Sequence, residues 1–274
     1  MKKVKFHYAY PIDIDIDTDK DVDVFIDQFP VNPVPDGSVY IMILEEPLNE
    51  SLFFLAQNNR DNYTHLLTFQ QEILDTNPKA TLFLCMNTWV RDYVSPGKKF
   101  CVSNVVGGKT NPRLEGYAIR HKLWHKKELI TVPKDFYLSG NAPYAHIFVP
   151  WGDVDYTGEL VLGDSKIPLF DSMFHIAIEN TSIRNYFSEK ILDCFQSRTV
   201  PIYYGCPNIG DFFNINGIFV AHNVDEITEI CNKLTPDTYN NMLSAIEDNF
   251  NKSIKWCDHQ EQVKIGVMNL LDNK

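Results

Sequence analysis

The chain has 274 residues, a formal net charge of −11 and 44% hydrophobic residues. This hydrophobic content supports a packed core and excludes a disordered chain, while the length fits one large domain or two small ones. The strong acidity disfavours nucleic acid as a partner, and no apolar run reaches the roughly 18 residues that a membrane span requires.

The targeting and cysteine patterns indicate an intracellular protein. The N-terminus has a basic start, but it lacks the apolar core and the small-residue cleavage site of a signal peptide. The six cysteines are scattered without a C-x-x-C pair, which is typical of reduced, buried thiols. We therefore expect a cytoplasmic protein without a membrane span; peripheral association with a membrane stays compatible with the sequence.

The first third of the chain predicts strands separated by loops. A first strand is expected within residues 1–16, and buried-strand runs follow at Val39–Leu44 and Thr81–Met86. Ser95-Pro96-Gly97 is a typical chain break. We place the domain boundary there, with a first lobe of residues 1–97 and a second lobe of residues 98–274.

The second lobe alternates strands with helices. Strands are predicted at 99–104, 145–149, 174–178, 201–204 and 218–221, and helices at 116–127, 189–195, 224–234 and 238–255. This alternation is typical of parallel βαβ units. The predicted fold class is α/β, with two Rossmann-like lobes and an interlobe cleft.

The segment from Phe174 to Pro207 is the most informative part of the chain. Its polar cluster lies between two apolar runs, at a strand-to-helix junction where Ser188-Glu189-Lys190 opens the helix. Junctions of this kind bind nucleotides and phosphates in open α/β folds, because a helix N-terminus favours anions. The segment therefore predicts such a site.

Three groups of residues stand out in this segment: Phe174 with Glu179-Asn180-Thr181, then Tyr186-Phe187-Ser188-Glu189-Lys190, then Val200-Pro201-Ile202-Tyr203-Tyr204-Gly205. In these residues the segment resembles the α1,3/α1,4-fucosyltransferase family (glycosyltransferase family 10). That family carries a pattern close to F-x-x-x-x-E-N-S, then Y-x-T-E-K, then V-P-V-x-x-G. The resemblance covers mainly residues 170–220 and implies a GT-B-like fold, in which the first lobe binds the acceptor and the second binds the nucleotide-sugar donor.

Weaker parts of the resemblance lie upstream. Ser103-Asn104 resembles a pair that precedes a phosphate-binding arginine in the family, so Asn104 joins the candidate site. Arg113 and Arg120 both compete for the arginine position. Arg120 is preferred because it starts a helix-like Arg-His-Lys-Leu-Trp run, as the family's arginine does; its alternative reading is the solvated face of a basic helix.

Glu45 is the candidate catalytic base. Leu44-Glu45-Glu46-Pro47 resembles the family's E-S-P, in which the glutamate ends a strand of the acceptor lobe and is the proposed base. Glu46 and Glu72 are the alternatives. A surface glutamate at a strand end would look the same in the sequence.

The resemblance implies a role for each donor-lobe residue. Lys190 and Arg120 would neutralise the leaving diphosphate, and Glu189 would accept hydrogen bonds from sugar or ribose hydroxyls or face the positive charge that develops on the sugar ring. Asn180 and Tyr186 would bind donor hydroxyls or phosphates. Glu179 would hold the loop, and Gly205 would allow a tight turn beneath the ligand. An exposed helix lysine and a first-turn glutamate favoured by the helix dipole are the alternatives for Lys190 and Glu189.

Two acidic patterns raise the question of a metal ion. Asp13, Asp15 and Asp17 alternate with isoleucine, and Asp153-Val154-Asp155 is a second D-x-D, whose carboxylates suit Mn²⁺ or Mg²⁺. The alternation is also typical of an edge strand with one acidic, solvated face. The resembled family does not depend on such a metal, so we expect no metal and no other cofactor.

The predicted function is that of an inverting glycosyltransferase that transfers fucose from GDP-fucose to a hydroxyl of a saccharide acceptor. Its partners would be the nucleotide-sugar donor and the saccharide acceptor, with no nucleic acid. The alternatives are a GT-B glycosyltransferase that uses another nucleotide sugar and a non-catalytic nucleotide- or sugar-binding module.

Overall fold

The structure is a computed structural model that describes residues 2–47, 50–139, 160–161 and 165–272. The chain forms two compact units: the first holds residues 1–86, 184–186 and 258–274, and the second holds residues 87–183 and 187–257. The boundary predicted at 97/98 therefore differs from the observed one, which follows Met86. The C-terminal residues from Asp258 onward, predicted in the second lobe, belong to the first unit.

Strands and short helices make up both units. The described strands are β1 Lys2–Lys3, β2 Lys5–His7, β3 Asp17–Thr18, β4 Asp21–Ile26, β5 Ser38–Leu44, β6 His65–Thr68, β7 Ala80–Leu82, β8 Lys99–Val106, β9 Lys134–Leu138, β10 Leu160–Val161, β11 Ser172–Ile178, β12 Val200–Tyr204 and β13 Phe219–Val220. The described α-helices are α1 Glu50–Asn58, α2 Gln71–Thr76, α3 Glu115–Lys126, α4 Glu189–Gln196, α5 Val224–Asn232, α6 Pro236–Asn241, α7 Leu243–Ser253 and α8 His259–Asp272. Single turns of 3₁₀-helix lie at Arg60–Asn62, Lys127–Leu129, Ile167–Asp171, Ile209–Asp211, Ile215–Gly217 and Ile254–Trp256.

The first unit is a parallel sheet with helices on both faces. Its strand order is β2-β4-β5-β6-β7, and β1 and β3 form a separate antiparallel pair. Successive side chains of β5 point to opposite faces, so Ile41 and Ile43 enter one core and Met42 and Leu44 the other. The first core also holds residues of α8, and the second holds residues of α1 and α2.

The second unit is a doubly wound parallel sheet. Its strand order is β10-β9-β8-β11-β12-β13, and every pairing is parallel. The chain builds outward from β8 in one direction and then crosses back to start the other half at β11. Ligands of such sheets bind outside the carboxyl ends of the strands at this switch point, here β8 and β11.

The sequence located most strands of the second unit, and the structure corrects several other elements. The helix predicted at 238–255 is two helices, α6 and α7, which meet at Met242. The Thr81–Met86 strand is shorter, since β7 ends at Leu82. Strand β9 and helix α8 were not predicted. The strand predicted at 145–149 lies outside the described residues.

The cysteines are not bridged in the structure. All six are free thiols, and five of them are buried. The helices of the described residues are all too short or too polar to traverse a bilayer.

Candidate functional site

A cavity of about 340 Å³ lies at the switch point of the second unit. Its walls come from the ends of β8 and β11, from Ser139 just after β9, from the first two turns of α3 and from the first turn of α4. Among the described residues that line it, the charged ones are four cations and one carboxylate: Lys109, Arg120, Lys166, Lys190 and Glu189. In a chain with a net charge of −11, this concentration of positive charge favours an anionic ligand.

Glu179, which directly follows β11, holds the loop before α4. Its side chain is 0% exposed, and its two oxygens accept hydrogen bonds from Ser188 N at 2.9 Å and Ser188 Oγ at 2.6 Å. Burial raises the pKa of Glu179, although the Lys190 ammonium 3.7 Å away opposes this effect. These contacts fix the start of α4 against the end of β11.

Helix α4 begins with a capped first turn that faces the cavity. Ser188 is its N-cap, and the Ser188 side chain accepts from Lys190 N at 3.4 Å. The Lys190 ammonium lies 3.0 Å from Glu189 Oε1. Glu189 and Lys190 therefore enter the cavity as a bonded pair rather than as separate exposed groups.

The charge states of this pair follow from its neighbours. Burial alone would raise the pKa of Glu189, but the charges of Lys190 and Lys166 outweigh it and hold that pKa at about 2. Burial lowers the pKa of Lys190, whereas Glu189 and Glu179 raise it by more, so its net shift is upward. Both side chains are ionised at neutral pH, and Glu189 is too weak a base to take up a proton there.

Arg120 of α3 is held against the end of β11. Its Nε donates to Ile178 O at 3.0 Å, and its Nη2 donates to the same carbonyl and to Asn180 Oδ1 at 2.9 Å. The guanidinium also stacks on the ring of Tyr117, 5.0 Å from its centroid. These contacts fix the plane of the guanidinium on the cavity wall.

The N-terminus of α3 packs directly on the loop that follows β11. Gly116 N donates to Asn180 O at 3.0 Å, and a Cβ added at Gly116 would lie 1.8 Å from Glu179 O. The Glu115 carboxylate accepts from Ser182 N at 2.8 Å and from Tyr204 OH at 3.0 Å. Only glycine permits this approach, which places Arg120 one turn later on the same helix.

Two buried polar side chains complete the floor of the cavity. Asn104 Nδ2 donates to Ile176 O at 3.0 Å, while its Oδ1 has no hydrogen-bond partner among the described residues. His175 Nδ1 lies 2.8 Å from Ser103 Oγ, and burial lowers the pKa of His175 to about 3. The imidazole is therefore neutral, and Asn104 presents a buried acceptor that suits a ligand hydroxyl or N–H.

Lys166 is a cavity cation that the sequence did not single out. Its Nζ lies 3.3 Å from Asp193 Oδ2, while Asp193 Oδ1 accepts from Trp89 N at 2.8 Å and Val90 N at 3.1 Å. Burial raises the pKa of Asp193 to about 6. Lys166, Lys109 and Ser139 come from loops after different strands, so no local pattern links them to the Glu189-Lys190 pair.

Four of the candidate donor-side residues do not line this cavity: Glu179, whose buried side chain holds the loop before α4, and Tyr186, Gly205 and Arg113. Tyr186 belongs to the first unit, where its ring packs on Phe69 with centroids 5.4 Å apart. Gly205 packs against Glu179 and Tyr203, since an added Cβ would lie 2.5 Å from Glu179 Cγ. Arg113 is exposed before α3, so of the two candidate arginines Arg120 is the one on the cavity wall.

Glu45 lies at the carboxyl edge of the sheet in the first unit, directly after β5. Its side chain is 13% exposed, and both of its oxygens accept from His259 Nε2, at 2.9 and 3.0 Å. Burial lowers the pKa of His259, but the Glu45 carboxylate raises it by more. The alternatives Glu46 and Glu72 are both exposed.

Other polar groups surround this pair, each at or near the carboxyl end of a strand. Asp27 after β4 accepts Glu45 N at 2.9 Å, and burial raises the pKa of Asp27 to about 6. Tyr8 after β2 stacks on the His259 ring with centroids 5.8 Å apart. The Cys85 thiol, three residues after β7, donates to His259 O at 3.5 Å.

The aspartate-rich opening has a structural explanation. Asp15 and Asp17 pair with Lys3 Nζ at 2.6 and 2.9 Å, and Asp21–Ile26 forms β4, an internal strand between β2 and β5. The edge strand expected from the alternation of Asp13, Asp15 and Asp17 with isoleucine is wrong, because residues 11–16 form no strand and only Asp17 lies in the two-residue strand β3. The Asp153–Asp155 pattern lies outside the described residues.

Short segments of the sequence are similar to those of known fucosyltransferases. No family model matches the chain. One segment of 56 residues is 36% identical to an α-(1,3)-fucosyltransferase FucT of Helicobacter pylori, and one of 39 residues is 46% identical to an α-(1,4)-fucosyltransferase of Arabidopsis thaliana. These segments span 20% and 14% of this chain, and only 12% and 10% of the two relatives.

Solved structures share the fold over nearly the whole chain. An α1,3-fucosyltransferase, also solved with GDP-fucose, is similar with a TM-score of 0.55 at 15% identity, over 93% of this chain and 80% of that one. The pneumococcal O-GlcNAc transferase GtfA, solved with UDP and GlcNAc, is similar with a TM-score of 0.53 at 12% identity, over 92% and 57% of the two chains. The predicted α/β fold of the GT-B type is thereby confirmed.

Proposed function

We propose that this protein is a glycosyltransferase that transfers fucose from GDP-fucose to a hydroxyl of a saccharide acceptor, with inversion at the anomeric carbon. The observation that carries the proposal is the cavity at the switch point of the second unit, where four cations and the Glu189 carboxylate meet. A nucleoside diphosphate sugar has both chemistries that this lining suits, an anionic diphosphate and a hydroxyl-rich ring. The similarity to fucosyltransferase segments supports fucose as the sugar.

In the proposed reaction the cavity residues stabilise the leaving group. The acceptor oxygen attacks the anomeric carbon while the bond from that carbon to the β-phosphate oxygen breaks, and its electron pair leaves with GDP. Lys190 and Arg120 offset the charge that grows on the diphosphate. Because one displacement forms and breaks these bonds on opposite faces of the carbon, the product is inverted.

Glu189 acts through its charge rather than through proton transfer. Since its pKa is about 2, it stays ionised at neutral pH and is suited to face the positive charge of an oxocarbenium-like transition state or to accept from sugar hydroxyls. The buried Asn104 Oδ1 offers a further acceptor to the donor.

Glu45 is the proposed base, which takes the proton from the acceptor hydroxyl. It is a half-buried carboxylate at the end of a parallel strand, whereas Glu46 and Glu72 lie in solvent. Asn180 and Glu179 hold the cavity wall, and Gly205 packs against Glu179.

Nucleotide titration tests the donor. Isothermal titration with GDP, UDP and dTDP should give tight binding of GDP alone. Tight binding of UDP without binding of GDP would overturn the fucose assignment and favour a transferase that uses another nucleotide sugar. The O-GlcNAc transferase GtfA, which has a similar fold, was solved with UDP and GlcNAc.

Substitution of the base tests catalysis against simple binding. Glu45→Ala should abolish release of GDP from GDP-fucose while its affinity for GDP stays unchanged, whereas a non-catalytic binding module would show no such activity in the unaltered protein. Unchanged turnover in Glu45→Ala would refute the base. EDTA should leave the activity intact, because cavity cations take the place of a metal ion.

A further inference from the structure

At the carboxyl edge of the sheet in the first unit, hydrogen-bonded and stacked side chains form a cluster around Glu45. The first residue of α8, His259, donates Nε2–H to both oxygens of the Glu45 carboxylate, at 2.9 and 3.0 Å. A carboxylate only accepts hydrogen bonds, so the proton between them resides on the imidazole. The two residues are 214 positions apart in the sequence, and the return of the chain to the first unit brings them together.

Each member of this pair is itself fixed by a neighbour. Tyr8 stacks on the imidazole with an angle of 12° between the ring planes, which sets the orientation of the ring. The Cys85 thiol donates a hydrogen bond to His259 O and thereby fixes the start of α8. The Asp27 side chain accepts a hydrogen bond from Glu45 N, so the backbone of Glu45 is fixed as well.

We infer that His259 is the positioning residue of the Glu45 base. This rests on the proposed function, in which Glu45 accepts the proton of the attacking hydroxyl. A glutamate side chain has three rotatable torsions, and a catalytic base works only when its oxygen lies within hydrogen-bond reach of the proton it takes. The bond from His259 to both oxygens selects one orientation before the acceptor arrives.

The geometry favours a hydrogen-bonded pair over a metal site. The donor atoms of Glu45, Cys85 and His259 lie within 4.8 Å of one another. However, the imidazole nitrogen and the carboxylate already satisfy each other at normal hydrogen-bond distances, and the thiol already has an acceptor in His259 O. An ion would have to break these hydrogen bonds before it could bind.

Two substitutions separate the hydrogen bond from the packing of the ring. His259→Phe keeps a ring to stack on Tyr8 but removes the donor, and His259→Gln restores an N–H donor at the same bond distance from Cβ. His259→Phe removes a hydrogen bond to a charged group. We therefore expect the kcat for GDP-fucose hydrolysis to fall about 10- to 100-fold in this variant. His259→Gln should recover most of the activity, and the KM for GDP-fucose and the Kd for GDP should stay unchanged in both variants. His222→Phe and His222→Gln make the same changes at an exposed histidine and should have no effect.

The outcomes separate this inference from the proposed function. Loss of hydrolysis in Glu45→Ala with full kcat in His259→Phe would overturn the positioning role and leave Glu45 as the base. Full activity in Glu45→Ala would overturn the base itself. Equal losses in His259→Phe and His259→Gln would show that the donor is not what matters. Inactivation of the unaltered protein by EDTA, with recovery on addition of Zn²⁺, would replace the pair with a metal site.

Discussion

At the scale of single residues, the cavity of the second unit is defined by an ion cluster rather than by isolated charges. Lys190 contacts Glu189 and Glu179 at once, and Glu189 contacts Lys190 and Lys166. Each charge is therefore held in place before a ligand enters. Such fixed charges stabilise a transition state without first having to reorganise.

Replacing the central cation should weaken nucleotide binding. We expect Lys190→Met to raise the Kd for GDP about 10- to 150-fold, because a hydrogen bond to a charged group contributes about 1.5–3 kcal/mol. Isothermal titration measures this change. Lys233→Met is the matched control, since Lys233 is 71% exposed and, among the described residues, pairs only with Glu229 on the helix surface. Equal affinities in the two variants would remove Lys190 from the binding site.

The low pKa of Glu189 predicts a pH-dependent stability. Its folded-state pKa of about 2 lies below the usual 4.5, so its contribution to stability is present above pH 4.5 and is lost as the pH falls towards 2. The unaltered protein and Glu189→Gln should differ in free energy of unfolding by a constant amount at neutral pH. This difference should shrink as the pH falls from 4.5 towards 2. Urea unfolding at a series of pH values measures it. A difference that widens on acidification would contradict the assigned ion pairs.

At the scale of elements, the N-termini of α3 and α4 both close on the end of β11. Helix α4 is fixed by the bonds between Ser188 and Glu179, and α3 by the contacts of Glu115 and Gly116 with residues 179–182. The two helices carry Arg120 and Lys190 respectively. The end of β11 therefore sets the separation of the two main cations of the cavity.

A methyl group at Gly116 should disturb this junction. In Gly116→Ala the new Cβ would meet Glu179 O at 1.8 Å, so the helix or the strand end has to move. We expect a loss of about 3 kcal/mol of stability, at the upper end of overpacking costs, together with weaker GDP binding. Gly210→Ala is the control, because no atom of the described part of the chain lies within 4 Å of its added Cβ. Thermal unfolding and titration of both variants decide the point, and matching behaviour would show that the junction is tolerant.

The sequence predicted the site residues that lie close together in the chain, but not those that the fold brings in from distant segments. Glu179, Glu189 and Lys190 belong to one short segment, so their spacing alone placed them at a strand-to-helix junction. Lys166 and His259 reach their sites through strand order and through the return of the C-terminal chain to the first unit. These are long-range features that leave no local periodicity.

Two elements differ from their local patterns. The helical pattern predicted over 238–255 is divided at Met242 into α6 and α7, although Tyr239 and Ile246 pack in one core. The alternation of Asp13, Asp15 and Asp17 with isoleucine resembled an edge strand, yet residues 11–16 form no strand. Lys3 instead holds Asp15 and Asp17 by ion pairs, a contact that the alternation itself does not reveal.

At the scale of the whole molecule, each unit has its own sheet and core, and the second unit alone supplies the described lining of the cavity. The first unit depends on a segment that arrives last in the chain. Val263 and Val267 of α8 are 0% exposed and pack with residues of β4, β5 and β6. This division predicts that damage to α8 affects the two units differently.

We expect Val267→Asp to unfold the first unit while GDP binding persists. Burying an unpaired carboxylate among Val24, Ile41 and Val263 costs several kcal/mol, a large part of the stability of a domain. Met268→Asp makes the same change one residue later at a position that is 40% exposed, and it should leave both units intact. Thermal unfolding should then show an early transition in Val267→Asp alone, with GDP still protecting a later one. Loss of GDP binding together with the first transition would mean that the cavity needs the first unit to keep its shape.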